Sequence, residues 1–335
     1  MMFNAIGDLA QSLSMRRQNA SAQADIMRLT AELSSGQVSD VSSQLNGSFG
    51  QLSDIENRMA LNAAQRTASV EASTLAGTMQ GSLEMVQNRV TDLAGRALTI
   101  GQTDDGTSPK LVAAAARGTL DSVISALNGS VAGRPIFAGN SVVASPLAGA
   151  DELMAAARSA VSGANDAAGV IAALDTFFDA AGGGFETLIY QGGRNDMAPS
   201  RLGGGEEVSL SIRADDPAIR TILKDIVSAA LSGDDTLALT GAERVSLMRG
   251  SAASMTAGLD GLTGLRANLG FAEERIGQSI SRNSAEHTSL KMARGDLLSV
   301  DLFETASALE QAQLRLETIY TLTARTSRLN LVNFL

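Results

Sequence analysis

Apolar residues recur at helical spacing toward both ends of the chain and lose that spacing in the middle. Leu45, Phe49, Leu52, Ile55, Met59, Ala63 and Val70 step by threes and fours, with Arg66 filling one step. Leu83, Val86, Val90, Leu93, Ala97 and Ile100 step the same way. Such spacing lays one apolar stripe along a helix, and proline is absent from residues 1–108. Gly101–Pro109 (GQTDDGTSP) reads as a turn, with Asp-Gly and Ser-Pro as breakers. A further helix is expected from Lys110 to Leu127, stopping at Asn128-Gly129.

Residues 130–240 have another texture. Pro135, Pro146, Pro199 and Pro217 lie here, with glycine runs at Gly182–Gly184 and Gly203–Gly205. Val208–Ile212 alternates apolar and polar and predicts a strand. Glu186–Gln191 is a second strand candidate, with a short helix as the alternative. Helices are expected over Ala150–Phe178, with Gly163 as a breaking point, and over Ala218–Leu231. From Met248 the period becomes seven: Met248, Met255, Leu262, Leu269, Ile276, Asn283, Leu290 and Leu297. Sustained heptads predict a helix packed along another helix. Gly258, Gly261 and Gly264 weaken its first turns, which puts the firm start near Leu262. A last stripe runs through Leu302, Ala306, Leu309, Ala312 and Leu316 toward Tyr320.

The pattern therefore predicts a mainly α protein. Both chain ends form a long antiparallel helical bundle, and a small mixed α/β domain is inserted in the middle. The termini are the anomaly, because chain ends are usually polar and frayed. Residues 1–33 carry Ile6, Leu9, Leu13 and Met27, and the chain closes on Leu329, Leu331, Phe334 and Leu335. Together with Leu302, Leu309, Leu316 and Tyr320, these form two apolar terminal faces. Pairing the first helix with the last covers part of them, and the remainder calls for burial against other subunits.

Composition narrows the function. Aromatics are 3% of 335 residues, so the core relies on Ala, Leu, Val, Ile and Met, which suits closely packed helices. The net charge is −10 and lysine is nearly absent, an unsuitable balance for phosphate contacts and so against nucleic acid. With no cysteine there are no disulfides or thiolate metal sites. No stretch approaches the roughly 20 apolar residues a membrane-spanning helix needs. Residues 1–14 also lack the basic segment, apolar run and cleavage site of a secretory signal.

Candidate chemistry is sparse. His287 is the only histidine and has no catalytic or metal-binding motif around it, so a helix-surface or interface role is expected. Asp104-Asp105 and Asp215-Asp216 lack the spaced ligands of a Ca²⁺ loop and read as turn or helix-cap residues. Gly203–Gly205 lacks the Lys-Ser/Thr of a phosphate loop. Arg16-Arg17 is too small a basic patch to imply an anionic partner. No catalytic residue, metal or cofactor is expected. An enzyme carried in the inserted domain and a signalling coiled coil are the other classes. The first meets an insert without His or Cys, the second a chain without membrane spans.

Several strings resemble the family of flagellins and hook-associated protein 3. They are the C-terminal stretch 301–335 (DLFETASALEQAQLRLETIYTLTARTSRLNLVNFL), the turn at 33–40 (LSSGQVSD), the loop at 128–140 (NGSVAGRPIFAGN) and Tyr190-Gln-Gly-Gly. The resemblance implies an inner domain of paired terminal helices, here 1–44 with 299–335. It implies a bundle domain of 45–130 with 242–298 and an outer domain of 131–241. It further implies a structural, non-enzymatic role outside the cell in the bacterial flagellum, reached by type III export without a cleaved signal peptide. The implied partners are neighbouring hook-associated protein and flagellin, further copies in a ring, and an export chaperone, without membrane insertion. The Asn-Phe-Leu end and the lack of an Asn-rich start favour the subunit joining hook to filament. Ser39-Asp-Val-Ser-Ser, standing where the family usually has an acidic pair, keeps the filament subunit as the alternative.

Overall fold

The structure is a computed structural model that describes residues 2–100 and 109–332, with side chains from Ala10 and Ser12 to Arg325. The Asp104-Asp105 turn, Phe334 and Leu335 lie outside the described residues. The element order is α1 (Met2–Ser35), α2 (Val41–Gln44), α3 (Gly50–Leu98), α4 (Pro109–Leu127), β1 (Ser130–Val131), β2 (Arg134–Pro135), α5 (Ala150–Ala160) and α6 (Ala167–Asp179). It continues with a π-helical turn (Phe185–Ile189), β3 (Ser200–Gly203), β4 (Glu206–Val208), α7 (Pro217–Leu231), α8 (Gly241–Leu298) and α9 (Leu302–Val332). The fold is mainly α, with helices from both chain ends packed antiparallel and two small hairpins in the middle. The chain forms two compact units, residues 64–284 and residues 1–63 with 285–335.

Residues 64–284 hold the larger core. Leu83, Val86, Val90, Leu93 and Ala97 of α3 share one buried cluster with Met248, Met255, Leu262, Leu269 and Ile276 of α8. The heptad expected from the sequence is buried from Met248 to Leu290, its polar member Asn283 included, and half-buried at Leu297. Asn283 Nδ2 donates to the Leu202 carbonyl at 2.8 Å, and Ser279 Oγ donates to the same oxygen at 3.0 Å. The β3–β4 hairpin is thereby held against the bundle, which is why the seam turns polar there. Gly203 takes φ +103° at this contact, and a Cβ there would lie 2.6 Å from Gln65 Oε1.

On α3 the stripe drawn from apolar letters drifts off the buried line. Ala63, Arg66 and Val70 are exposed, while Asn62 and Ser69 are buried. Burial here follows polar packing, a face that apolar periodicity does not trace. The glycines that pointed to a start near Leu262 do not delay α8, which begins at Gly241. Gly258 and Gly261 instead let α7 come close, since a Cβ would lie 3.1 Å from Ile222 Cδ1 and 3.0 Å from Ala218 Cβ respectively. Packing of this kind offsets the roughly 1 kcal/mol that each glycine costs a helix.

In the middle, the expected helix over 150–178 is two helices, α5 and α6, separated around Gly163. The strand expected at 208–212 lies earlier, at Glu206–Val208, and of 186–191 the first four residues lie in the π-helical turn while Tyr190 bridges Leu147. Asp216 caps α7 by accepting from the Ala218 amide at 2.9 Å, with Pro217 opening the helix. Helix α7 is the hub, packed against α4, α5 and α6.

Beyond α7, Asp234 is buried and accepts from Arg158 Nε at 2.7 Å and from the Thr236 amide and hydroxyl at 2.9 and 2.7 Å. Burial opposes its ionisation, but the Thr236 hydroxyl, the Thr236 amide and Arg158 outweigh it and hold the carboxyl at about 2. Asp234→Ala is expected to lower stability by about 3 kcal/mol, because it strands Arg158 and the Thr236 donors. The folded pKa lies below the usual carboxylate value, so this contribution is present above pH 4 and fades as pH falls toward 2. Urea unfolding at pH 7 and pH 3, wild type against variant, measures both.

Candidate assembly interface

The unit built from both chain ends centres on the antiparallel pair α1 and α9. Ala22, Leu29 and Glu32 are the buried side chains described on α1, and Thr305, Ala312 and Ile319 those on α9. The seam repeats every seven residues, at 22 and 29 on one helix and at 305, 312 and 319 on the other, the spacing of two helices wound together. Gln23 Nε2 donates to the Tyr320 hydroxyl at 3.2 Å across the pair.

The base of the pair is built from hydrogen bonds. Gly36 takes φ +69° to end α1. The chain then pairs with the segment before α9: the Val38 amide donates to the Leu298 carbonyl at 2.9 Å, and the Val300 amide to the Gly36 carbonyl at 3.1 Å. Glu32, though buried, accepts from Arg28 Nη1 at 3.1 Å and from the Ser39 amide at 3.0 Å. Asp301 caps α9 by accepting from the amides of Phe303 and Glu304 at 2.9 and 3.0 Å. Asp40 caps α2, and the Ser43 hydroxyl and amide hold its carboxyl below the usual range. An open, mostly polar cleft of about 770 Å³ lies here, lined among others by Arg28, Glu32, Asp40, Asp301 and Glu304.

Outside the seam several large apolar side chains stand among polar ones. Phe303 is 84% exposed, Met27 67% and Leu314 65%, and Leu13, Leu302, Tyr320 and Leu322 are also open. With about 100° of rotation per residue, Phe303 and Leu314 fall on one line of α9. Thr305, Ala312 and Ile319 lie roughly opposite. Leu13 likewise lies roughly opposite Ala22 on α1. Each helix therefore carries exposed apolar side chains on the side turned away from the seam, interspersed on α9 with Glu310 and Thr321.

The sequence-derived residues divide accordingly. Leu13, Met27, Leu302 and Tyr320 are exposed. Leu309 and Leu316 are half-buried beside the seam. Ile6, Leu9, Leu329 and Leu331 lie within α1 and α9, but their side chains are outside those described, as are Phe334 and Leu335 altogether. Phe303, Leu314 and Leu322 were missed. The available signal was an apolar residue off the main stripe, as Phe303 is directly after Leu302. Arg16 and Arg17 are exposed. His287 is half-buried, and its Nδ1 has no hydrogen-bond partner. No cluster of three or more metal-ligating side chains occurs among the described residues.

Residues 253–335 match the family of the bacterial flagellin C-terminal helical region. No curated protein matches the chain by sequence. Solved structures share the fold, among them the following two. The crystal structure of Bacillus cereus FlgL is similar with a TM-score of 0.50 and 15% identity, over 72% of this chain and 98% of that one. A protein described as a flagellar hook-associated protein from Vibrio parahaemolyticus is similar with a TM-score of 0.50 and 13% identity, over 73% and 95% of the two chains.

Proposed function

We propose that the chain is a structural subunit of the bacterial flagellar axis that joins hook to filament, held in place by helix packing between subunits. The outward apolar side chains of the α1/α9 pair carry this reading. Phe303, Leu314 and Met27 have no cover within the pair and gain most from burial against a neighbour. The segment matching the flagellin helical region contains α9, so the matched helix is the one with the open face. The fold shared with FlgL and with the Vibrio protein points the same way.

Within this proposal, residues 1–44 with 299–335 are the assembly domain, 45–130 with 242–298 the bundle and 131–241 the outer domain. The partners are the neighbouring hook-associated protein, flagellin and further copies of this chain in a ring. The chain leaves the cell by type III export with the help of a chaperone, and its role is mechanical rather than enzymatic. The family match of the C-terminal region favours one other reading, the filament subunit itself.

Immunogold labelling of the tagged chain on isolated flagella tests this. Label confined to the hook–filament boundary is expected, whereas label along the whole filament supports the filament subunit. Purified protein is expected to stay monomeric where a filament subunit polymerises. Deleting residues 318–335 should leave residues 64–284 folded by circular dichroism and abolish swimming in soft agar. Normal swimming with the deletion would remove the packing argument.

A further inference from the structure

Helix α7 buries an unbroken run from Asp225 to Leu231, and one member of that run is a carboxylic acid. Asp225 is 4% exposed, and its Oδ2 has no hydrogen-bond partner. It lines a cavity of about 100 Å³ between α6, α7 and α8, together with Leu174, Ser228, Ser251 and Ser254. The cavity is large enough to admit water and is partly polar. An ionised carboxylate left uncompensated in such a place is costly.

The charged groups around it supply little compensation. On α7, Lys224 donates to Asp175 at 2.7 Å and to Asp179 at 2.8 Å, both on α6, so two carboxylates already hold that ammonium. Lys224 and Asp175 also line the cavity. Helix α8 contributes Gly250 and the hydroxyls of Ser251 and Ser254 to the lining. Arg249, beside Gly250 in sequence, sends its Nε to the Ile100 carbonyl at 2.9 Å. On α7, Arg220 is held by the Phe178 carbonyl at 3.0 Å. From α4, Lys110 pairs with Asp235 and Arg117 approaches Asp234, and from α5 Arg158 is bound to Asp234.

We propose that Asp225 is a proton-operated latch on the packing of α6 against α7 and α8. With the proton on, the carboxyl is a neutral group that completes the core. With the proton lost to solvent, the carboxylate draws water into the cavity and loosens that packing. Burial pushes the Asp225 carboxyl up to about 7, against the opposing pull of the Ser254 hydroxyl and Lys224, while Asp175 and Asp179 push it further up. The unfolded chain ionises this group near pH 4. Between pH 4 and 7 the folded state therefore holds the extra proton. Stability from this group falls as pH rises through that window and stays low above it.

Thermal unfolding of the full chain at pH 5 and pH 8, for wild type and Asp225→Asn, tests the latch. The margin by which the variant melts above wild type is expected to grow by roughly 5–10 °C between pH 5 and pH 8. The same pH dependence in both proteins would overturn the proposal. Should the variant not fold, amide hydrogen exchange in unmodified protein decides. After correction for intrinsic rates, α6 and α7 are expected to open at least about tenfold more often at pH 8 than at pH 5.5. An unchanged opening frequency would overturn it. Sodium or magnesium chloride, compared at pH 8 with choline chloride of equal ionic strength, gives a third arm. Stabilisation of wild type by the metal salts alone would mean that a metal cation, not a proton, neutralises Asp225, and would also overturn the latch.

Discussion

Phe178→Ala will lower the stability of the chain by about 3–5 kcal/mol. Phe178 is fully buried near the end of α6, with Phe177 edge-on at a ring-centre distance of 5.2 Å and Phe185 stacked at 5.3 Å. The surroundings cannot close over the missing ring. Gly184 is already pressed against Phe177, where a Cβ would lie 2.1 Å from the ring. Arg220 Nη1 ties the Phe178 carbonyl to α7 at 3.0 Å. Truncation therefore removes transfer energy and leaves a cavity, and the two losses add. The aromatic pairs are each worth a further 0.5–1.5 kcal/mol or so. Phe271 provides the internal control. It is the same residue type but 67% exposed on α8, so Phe271→Ala should stay within about 0.5 kcal/mol of wild type. Thermal and urea unfolding of both variants measure the difference. Equal effects would mean that the aromatic cluster is not the rigid centre its geometry describes.

The contrast between these two phenylalanines marks what the sequence discloses. Periodicity finds a buried line where burial is apolar, as along Met248–Ile276 and Leu83–Ile100, because transfer energy dominates there. It fails where burial is polar. Asn283 donates to the Leu202 carbonyl of the β3–β4 hairpin and to Ser69 Oγ, and Asn62 donates to Glu286 at 3.3 Å, burial by hydrogen bonding that no apolar stripe encodes. Glycines mislead for a related reason. In isolation Gly258 and Gly261 weaken a helix, yet in contact with Ile222 and Ala218 they allow the close approach that stabilises it. Asp225 was hidden in an apolar stretch of α7, since a single acid inside such a run resembles a surface turn of the helix until all its sides prove covered. The candidate interface was legible in kind. Two greasy terminal helices were evident, but which of their residues face outward depends on the rotation that the seam imposes. That rotation puts Leu309 and Leu316 beside the partner helix and leaves Phe303 and Leu314 outside.

That rotation also fixes which substitutions will separate assembly from folding. The double change Phe303→Glu and Leu314→Glu is expected to leave the purified monomer unaltered and to prevent its incorporation into flagella. Both side chains are exposed on α9, roughly opposite Thr305, Ala312 and Ile319, so the seam with α1 is untouched. Exposed substitutions of this kind usually change stability by within about 0.5 kcal/mol. In an assembled contact the same positions count differently. Burying a Leu or Phe side chain contributes about 1.5–3 kcal/mol each, so two lost contacts weaken each subunit interface by roughly 10²–10⁴-fold. Two unpaired carboxylates placed in that contact add a further desolvation cost. The sealed side supplies the opposite phenotype: Ile319→Ala should lower the melting temperature of the α1/α9 pair in the monomer itself. Circular dichroism melts of both proteins, with immunogold counts of each on isolated flagella, distinguish the two faces. Normal incorporation of the double variant would show that the outward apolar side chains are not the surface by which this chain is held.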